Sequence, residues 1–297
     1  VLYWNWQHDW LSFTYQLRQG FTPKPKAVPL KLLEYLGGQA GVVTPILFFA
    51  FAGYSVTALR LCTERERPDY LYLLMLSWPV LIFFGISTAA GKVAEANWPA
   101  PAYISGFILA GAVFRDLYAS RPLHRRLLAA GLALGLAAGL VIQAHLTRPF
   151  LPIPPQKDQT RQFHGWRELG AEISRIIGNH PSEHGYIIVS DKGTTAAQAV
   201  FYSGARLTGL DLLQPERYVF LGDLSGLRGR DAVLVLHGAS GEGLRRYEGH
   251  FASIVPAGRH DCRFRGQRID GLSVTLFIGR DFSGSWLPQE EGEKVRR

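Results

Sequence analysis

The residues best suited to chemistry near the start of the chain are His8, Asp9, Ser12 and Gln16. They stand among tryptophans and other aromatic residues in the stretch 2–20, and helical spacing would bring the four polar side chains to one side. One interpretation is that they line a polar cavity. The other is that the segment lies along a membrane surface, where tryptophan rings prefer the headgroup level. The residues themselves leave both interpretations open.

A second polar group lies in the stretch 87–103, where Lys92, Glu95 and Asn97 precede Trp98. A lysine can hold the phosphate of a lipid-linked substrate as a point charge, and Glu95 could orient it. A lysine at the end of a membrane helix can equally reach for the phosphate of an ordinary lipid. The composition does not separate these two roles.

The second half of the chain carries no complete catalytic set of residues. The run 237–243 (HGASGEG) matches neither a Walker loop nor a Rossmann fingerprint, and an ordinary strand-to-helix turn accounts for it. His180 and His184 have no further metal ligands near them and are interpreted as solvated turn residues. Asp191 and Lys192 follow a predicted strand, where a ligand at the sheet's carboxyl edge and a plain loop position explain them equally well.

These groups must be positioned by two halves of very different composition. The chain has 297 residues, a mean hydropathy of +0.03 and a net charge of +8. Residues 1–147 hold 19 charged residues and residues 148–297 hold 37. This split excludes a single soluble globule, a disordered chain and a low-complexity polymer. A basic groove with interleaved aromatic residues is absent from the sequence, so nucleic acid is not an expected partner.

Four windows in the first half lack Asp, Glu, Lys and Arg, and each is long enough, or nearly so, to cross a bilayer. Buried helices of a large soluble protein are the weaker explanation for so many windows in so short a stretch. The third window is the weakest, because Pro99 and Pro101 shorten it. We therefore predict a polytopic α-helical membrane domain over 37–147, with about four transmembrane helices at 37–59, 70–91, 99–114 and 127–147.

The short connections between these windows predict an orientation. The loops 60–69 and 115–126 are rich in arginine, whereas the 92–99 connection contains a single lysine. The positive-inside rule places the arginine-rich loops in the cytoplasm. An even number of spans then puts an interfacial segment over 1–36, and everything after about residue 148, on the extracytoplasmic face.

The remainder of the chain is predicted to form a Pro-rich linker over 148–160, a small extracytoplasmic α/β domain over 161–283 and a flexible tail over 284–297. Because predicted strands alternate with helices, a largely parallel sheet is favoured. The helices are predicted at 166–177, 194–202 and 242–251, and the strands at 186–190, 218–221, 232–236 and 272–278.

Three runs, 5–16 (NWQHDWLSFTYQ), 35–39 (YLGGQ) and 92–103 (KVAEANWPAPAY), resemble the C-terminal half of bacterial family-39-type glycosyltransferases. These are polytopic GT-C enzymes, relatives of the protein mannosyltransferases and of the aminoarabinose transferase that modifies lipid A. The resemblance covers about residues 1–150 at the level of motifs. It extends more loosely to 166–169 (WREL) and 199–202 (AVFY).

The resemblance implies transfer of a sugar from a polyprenyl-phosphate donor to a lipid, glycan or protein acceptor on the outer face of the bacterial inner membrane. The bilayer, the donor and the acceptor are the expected partners. No cofactor is assigned, and dependence on a divalent metal stays open. The candidate substrate-binding residues are His8, Asp9, Ser12, Gln16, Gln39, Lys92, Glu95, Asn97 and Trp98.

In that family the catalytic acidic residue lies in the first extracytoplasmic loop, near the N-terminus of the full enzyme. No position here matches that motif, and the sequence begins with Val1 rather than methionine. We therefore expect a piece of a longer enzyme whose catalytic carboxylate lies on the missing part. The alternative is a non-enzymatic membrane protein with a ligand-binding or scaffolding α/β domain. A transporter is a weaker option, because none of the four windows holds a charged residue for a midplane site.

Overall fold

A computed structural model describes residues 1–14, 28–64, 67–90, 95–204, 206–214, 217–218, 221–238 and 241–286. The chain divides into two compact units, Val1–Gln143 and Ala144–Arg297. The candidate residues Gln16 and Lys92 lie outside the described residues. So do residues 287–297 of the predicted tail, whereas Trp286 packs against the core of the second unit.

The first unit is helical. Each of its four longest apolar helices has a proline as its first or second residue, where the ring pre-sets φ and no N–H is left without a partner. The helices are α1 (Leu2–Gln7), α2 (Val28–Val43), α3 (Pro45–Glu64), α4 (Pro68–Ala89), α5 (Ala100–Val113) and α6 (Pro122–Thr147).

Three of the described helices are long and apolar enough to cross a membrane: Pro45–Thr63, Pro68–Ala89 and Pro122–Thr147. Their outward surfaces are apolar, as Phe49 at 68% exposure and Leu140 at 71% illustrate. A surface of this kind is typical of contact with lipid. The protein therefore has a membrane part followed by an α/β region.

The other predicted spans differ in detail. The window 37–59 is divided between two helices, because α2 ends at Val43 and α3 begins at Pro45, with Thr44 at a φ of 74° between them. The window 99–114 contains only the 14 residues of α5, about 21 Å of helix. That length is well short of the roughly 30 Å of a bilayer core. Three of the four predicted spans are thus supported by helices that are long and apolar enough.

α5 is the most enclosed of these helices. Its Leu109 and Val113 pack with Tyr70 and Leu74 of α4 in one buried cluster. At Gly106 an added Cβ would lie 2.7 Å from the Phe51 ring and 2.8 Å from the hydroxyl oxygen of Ser77. Glycine at this position therefore allows three helices to approach closely, as small residues do in membrane bundles.

A carboxylate joins the connections at one end of the bundle. Asp116 accepts hydrogen bonds from Tyr70 at 2.7 Å, from Arg115 at 2.8 Å and from Arg67 at 3.3 Å. The hydrogen bonds from Arg115 and then Tyr70 lower the pKa of Asp116 to about 2. This ionised group ties the segment before α4 to the π-helix that follows α5 (Phe114–Tyr118).

The second unit begins inside α6, and its first residues are held rather than loose. His145 Nδ1 accepts hydrogen bonds from the backbone N–H of Phe150 at 2.9 Å and of Leu151 at 3.1 Å. The ring proton is therefore on Nε2, which donates to Asp158 at 2.9 Å. Arg265 also donates to the Leu151 and Ile153 carbonyls. The predicted linker 148–160 is thus docked on the unit that follows it.

The α/β unit has a five-stranded mixed sheet in the order β2-β1-β3-β7-β4 and a two-stranded hairpin of β5 and β6. Its helices are α7 (Trp166–Asn179), α8 (Gly193–Ser203) and α9 (Gly241–Glu248). Its strands are β1 (Tyr186–Ser190), β2 (Thr208–Leu210), β3 (Asp231–His237), β4 (Phe251–His260), β5 (Arg263–Phe264), β6 (Gln267–Arg268) and β7 (Val274–Phe282).

The prediction of a largely parallel sheet is correct for one part and wrong for the other. β1 pairs in parallel with β2 and β3, whereas β7 pairs antiparallel with both β3 and β4. The stretch predicted as a strand at 218–221 is not one at Tyr218 or Leu221. The predicted helix at 242–251 ends at Glu248, and Phe251 begins β4 instead.

The sheet is covered on both faces. On one face, Leu169, Ile173 and Ile176 of α7 pack with Ala199 of α8 against the strands. On the other, Tyr247 of α9 joins a second cluster with apolar residues of β1 and β3. All five residues of β1 are buried, which is typical of a central strand covered on both faces.

The two outer strands of the sheet are irregular. β2 is three residues long. At the other edge, β4 contains Pro256, and its register with β7 shifts between Pro256 and Gly258. Proline has no N–H to donate, so it is tolerated in edge strands and at bulges.

Candidate functional site

Gln39 joins three elements at the end of the membrane helices. Its side chain is buried, although an amide needs partners when it leaves water. Gln39 Nε2 donates to the Ala96 carbonyl at 3.0 Å, and Gln39 Oε1 accepts from the Tyr103 hydroxyl at 2.9 Å. The turn before α5 is thereby fixed to α2 on one side and to α5 on the other.

Tyr35 supports the same arrangement. It lies four residues before Gln39, so both side chains share one face of α2. The Tyr35 hydroxyl donates to the Leu81 carbonyl at 2.7 Å, and its ring lies against Gly85 of α4. The spacing of tyrosine and glutamine in YLGGQ therefore has a structural cause: one face of α2 is held against both α4 and the 95–98 turn.

The turn itself presents its side chains outward. Glu95, Asn97 and Trp98 are exposed, and the backbone is closed by a hydrogen bond from Trp98 N–H to the Glu95 carbonyl at 3.0 Å. The Trp98 ring meets Phe84 edge-on. With the described part of the chain, the Glu95 and Asn97 side chains form no hydrogen bond. A fixed backbone with uncommitted polar side chains is a suitable arrangement for contacting a ligand.

The N-terminal segment does not form the continuous helix that would bring His8, Asp9 and Ser12 to one side. α1 ends at Gln7, and Asp9 and Trp10 have φ values of 51° and 58°. Such values are uncommon for residues other than glycine and concentrate at functional sites. The prediction of one helical face is therefore wrong at this turn.

Asn5 holds this turn and was missed by sequence reasoning. Its buried side chain accepts from Ser12 N–H at 3.1 Å, and its carbonyl accepts from His8 N–H and Trp10 N–H. An asparagine that bonds nearby backbone groups is a common turn device, and this was the available signal. The turn leaves the Asp9 carboxylate at the surface.

His8 is oriented by its own helix. Its ring stacks on Trp4 with centroids 4.1 Å apart, and Nδ1 lies 2.8 Å from the Trp4 carbonyl. Since a carbonyl only accepts, Nδ1 carries the proton and Nε2 of the neutral ring is left as an acceptor. His8 can thus accept a hydrogen bond from a hydroxyl group.

The candidate residues fall into two groups. Gln39, Glu95, Asn97 and Trp98 are brought together at the turn before α5. His8, Asp9 and Ser12 lie in the N-terminal segment, and every hydrogen bond of residues 1–14 with the described chain stays within that segment. Among the described residues, no group of three or more His, Cys, Asp or Glu side chains could hold a metal ion.

The chain is similar to the lipid A galacturonosyltransferase RgtD of Rhizobium johnstonii. The two are 30% identical over an alignment of 216 residues, and the match covers 68% of this chain and 40% of the relative. The chain thus spans about 40% of the length of that relative. No family model matches the chain, and no solved structure matches it. The similarity supports a relationship to membrane glycosyltransferases. It does not show that the chain belongs to family 39.

Proposed function

We propose that the chain is the C-terminal part of an integral-membrane glycosyltransferase of the GT-C, family-39 type. It would move a sugar from a polyprenyl-phosphate donor to an extracytoplasmic lipid, glycan or protein. The observation that carries the proposal is the similarity to a galacturonosyltransferase over 68% of a chain with three apolar helices. That similarity does not favour the non-enzymatic alternative.

In this proposal the turn before α5 meets the donor. Lys92 holds the phosphate as a compact cation, and Glu95 and Asn97 contact polar groups of the donor beside it. Gln39 is a positioning residue, because its amide fixes the Ala96 carbonyl between these side chains. Its effect on transfer would be indirect.

The N-terminal segment supplies groups for the sugar or the acceptor. The Nε2 atom of His8 accepts from a hydroxyl, and Asp9 adds a carboxylate at the same turn. Ser12 and Gln16 complete the proposed substrate contacts. None of these residues is assigned as the base, which we place in the N-terminal part of the whole enzyme.

The proposed reaction is an inverting displacement. A carboxylate takes the proton of the acceptor hydroxyl while its oxygen bonds to the anomeric carbon of the sugar. The bond from that carbon to the phosphate oxygen breaks, and the electron pair leaves with the polyprenyl phosphate. Cationic groups stabilise the charge that develops on this leaving group.

The proposal includes a location. The enzyme lies in the bacterial inner membrane, with the interfacial segment 1–36, the turn 95–98 and the α/β domain on the extracytoplasmic face. This orientation requires a fourth crossing, which we assign to α5 together with the π-helix that continues it to Tyr118. The arginine-rich stretches 60–69 and 115–126, which include the ends of α3 and α6, lie in the cytoplasm, as the positive-inside rule favours. Cysteine labelling with a membrane-impermeant reagent at positions 97 and 121 would test this orientation.

The test of transfer uses the full-length enzyme in membranes, with a polyprenyl-phosphate sugar as donor. We expect Lys92→Ala to lower kcat/KM by about 10- to 100-fold, since a hydrogen bond to a charged group contributes about 1.5–3 kcal/mol. Glu95→Gln should lower it less. Glu183→Gln is the matched control, because it removes another exposed carboxylate far along the chain. Unchanged transfer in Lys92→Ala and His8→Ala would contradict the site assignment.

A further inference from the structure

A second cluster of polar groups lies in the α/β unit, where three parallel strands end. From β1 the chain passes to β2 on one side, and β3 lies on the other side of β1. The strand order therefore reverses between β1 and β3. In open α/β sheets the crevice outside the carboxyl ends at such a point is where ligands bind. Asp191 follows β1 here, and His237 is the last residue of β3.

Asp191 fixes the ring of His237. Asp191 Oδ1 lies 2.8 Å from His237 Nδ1, and Asp191 Oδ2 accepts from the His237 backbone N–H at 3.1 Å. Since the carboxylate accepts, Nδ1 carries the ring proton and Nε2 is the acceptor of the neutral ring. His237 Nε2 lies 3.4 Å from the hydroxyl of Thr195, in the first turn of α8.

The start of α8 adds backbone donors to the same place. The first bond of the helix runs from Ala196 N–H to the Lys192 carbonyl. The N–H groups of Gly193, Thr194 and Thr195 therefore have no partner within the helix, and Lys192 provides no side-chain cap. Such groups, with the positive end of the helix dipole, favour an anionic ligand.

Tyr247 provides an independent indication of a ligand. Its side chain is 1% exposed, yet its hydroxyl has no hydrogen-bond partner among the described residues. Burial, and then the negative charges of Asp191 and Asp211, raise the pKa of Tyr247. Tyr247 belongs to the buried cluster that contains Leu212 and Leu236, the chain neighbours of Asp211 and His237. A buried hydroxyl without a partner costs free energy, and a bound ligand would remove that cost.

Gln214 is a second buried group of this kind. It follows β2, its side chain is 7% exposed, and Oε1 has no partner among the described residues. An amide oxygen accepts hydrogen bonds, and the hydroxyl groups of a ligand can donate them. The cluster therefore combines backbone donors for an anion with acceptors for hydroxyl groups.

We propose that this edge of the sheet, formed by Asp191, the start of α8, Gln214, His237 and Tyr247, binds a sugar unit that carries one carboxylate or phosphate. The anionic group meets the N–H groups at the start of α8. The sugar hydroxyls meet Tyr247, Gln214 and the Asp191–His237 pair. All residues of this proposed binding site belong to the α/β unit.

The test is calorimetric titration of the whole chain in detergent with galacturonate, galactose 6-phosphate, galactose and inorganic phosphate. We expect both anionic sugars to bind at least tenfold more tightly than galactose or phosphate alone. Tyr247→Phe removes only the hydroxyl and should weaken binding of the anionic sugars by about five- to tenfold, as loss of one hydrogen bond does. Its unfolding temperature without ligand should not fall, because no bond within the protein is lost.

Tyr186→Phe is the matched control, since its hydroxyl bonds to the His180 carbonyl at the other end of β1. It should leave the affinity for both anionic sugars unchanged. The proposal is overturned if neither anionic sugar binds, if phosphate alone binds as tightly as galactose 6-phosphate, or if Tyr247→Phe binds like the wild type. This experiment measures binding, so a negative result would overturn the binding site without contradicting the transfer proposal, which the transfer assay tests.

Discussion

Replacement of Asp158 by asparagine should weaken the α/β unit more than its single-atom change suggests. Asp158 Oδ1 accepts from the backbone N–H and the hydroxyl of Thr160, and Oδ2 accepts from His145 Nε2. An asparagine must direct its NH₂ group at one of these donors. His145 is unable to change tautomer in response, since its Nδ1 accepts two backbone N–H bonds.

The magnitude follows from the carboxylate. Burial opposes its ionisation, but the hydrogen bonds from Thr160 and His145 outweigh it and lower the pKa of Asp158 to about 2. Against an unfolded value of about 3.9, this shift contributes about 2–3 kcal/mol at neutral pH. Because the folded-state pKa is depressed, the contribution is complete above about pH 5 and is lost as the pH falls towards 2. Asp158→Asn should therefore cost about 2–3 kcal/mol at pH 7.

The assay measures how fast the buried thiol of Cys262 is labelled in the whole chain. Cys62 is the other cysteine, so Cys62→Ser leaves one reporter in the α/β unit. Labelling of Cys262 by a dithiodipyridine, measured against urea concentration, gives the free energy of unfolding. The matched control is Asp223→Asn, because Asp223 accepts from the backbone and hydroxyl of Ser225 but has no histidine partner among the residues that the structure describes.

We expect Asp158→Asn to lose about 2–3 kcal/mol and Asp223→Asn to lose much less, because Asp223 is exposed to solvent. The difference between wild type and Asp158→Asn should shrink as the pH falls from 5 to 3. Equal losses in the two variants, or a difference that does not change with pH, would refute the reasoning.

Three further predictions concern the membrane unit. Gln39→Leu should lower transfer by the full-length enzyme mainly through KM. Its stability should fall by about 2–3 kcal/mol, because the buried Tyr103 hydroxyl and the half-buried Ala96 carbonyl lose their hydrogen bonds. Gln39→Glu should not restore transfer. Gly106→Val should prevent the approach of Phe51 and lower the melting temperature in detergent, whereas Gly139→Val, with open space around it, should not. Asn5→Ala should release Ser12 and speed hydrogen exchange at residues 8–12, while the rest of the chain keeps its protection.

The sequence predicted the elements whose signal is local. The charge-free windows predicted apolar helices, and 186–190 was predicted with the bounds that β1 has. β4 was missed because Pro256, Gly258 and two basic residues hide a strand that pairs on one side only. In the same way, the break at Thr44 depends on a backbone conformation that threonine rarely adopts.

The candidate site was predictable in its residue types but not in its contacts. Gln39 and Tyr103 are 64 residues apart, so only the folded bundle shows that the glutamine fixes the turn instead of meeting solvent. His8 and Asp9 were expected to face Ser12 along one helix, but Asn5 turns the chain between them. In the sequence, Asp191 and His237 lie in two separate stretches, each of which could be explained as an ordinary turn. They meet because β1 and β3 are neighbours in the sheet, and strand order cannot be read from local sequence.

The irregular edges of the sheet bear on behaviour at high concentration. Proteins held in one membrane meet each other far more often than proteins free in solution, and long open strand edges would then join neighbouring copies into aggregates. Here one edge offers only the three residues of β2, and the other is interrupted at Pro256 by a missing donor and a bulge. The sheet can therefore be crowded in the plane of a membrane without offering a template for strand exchange.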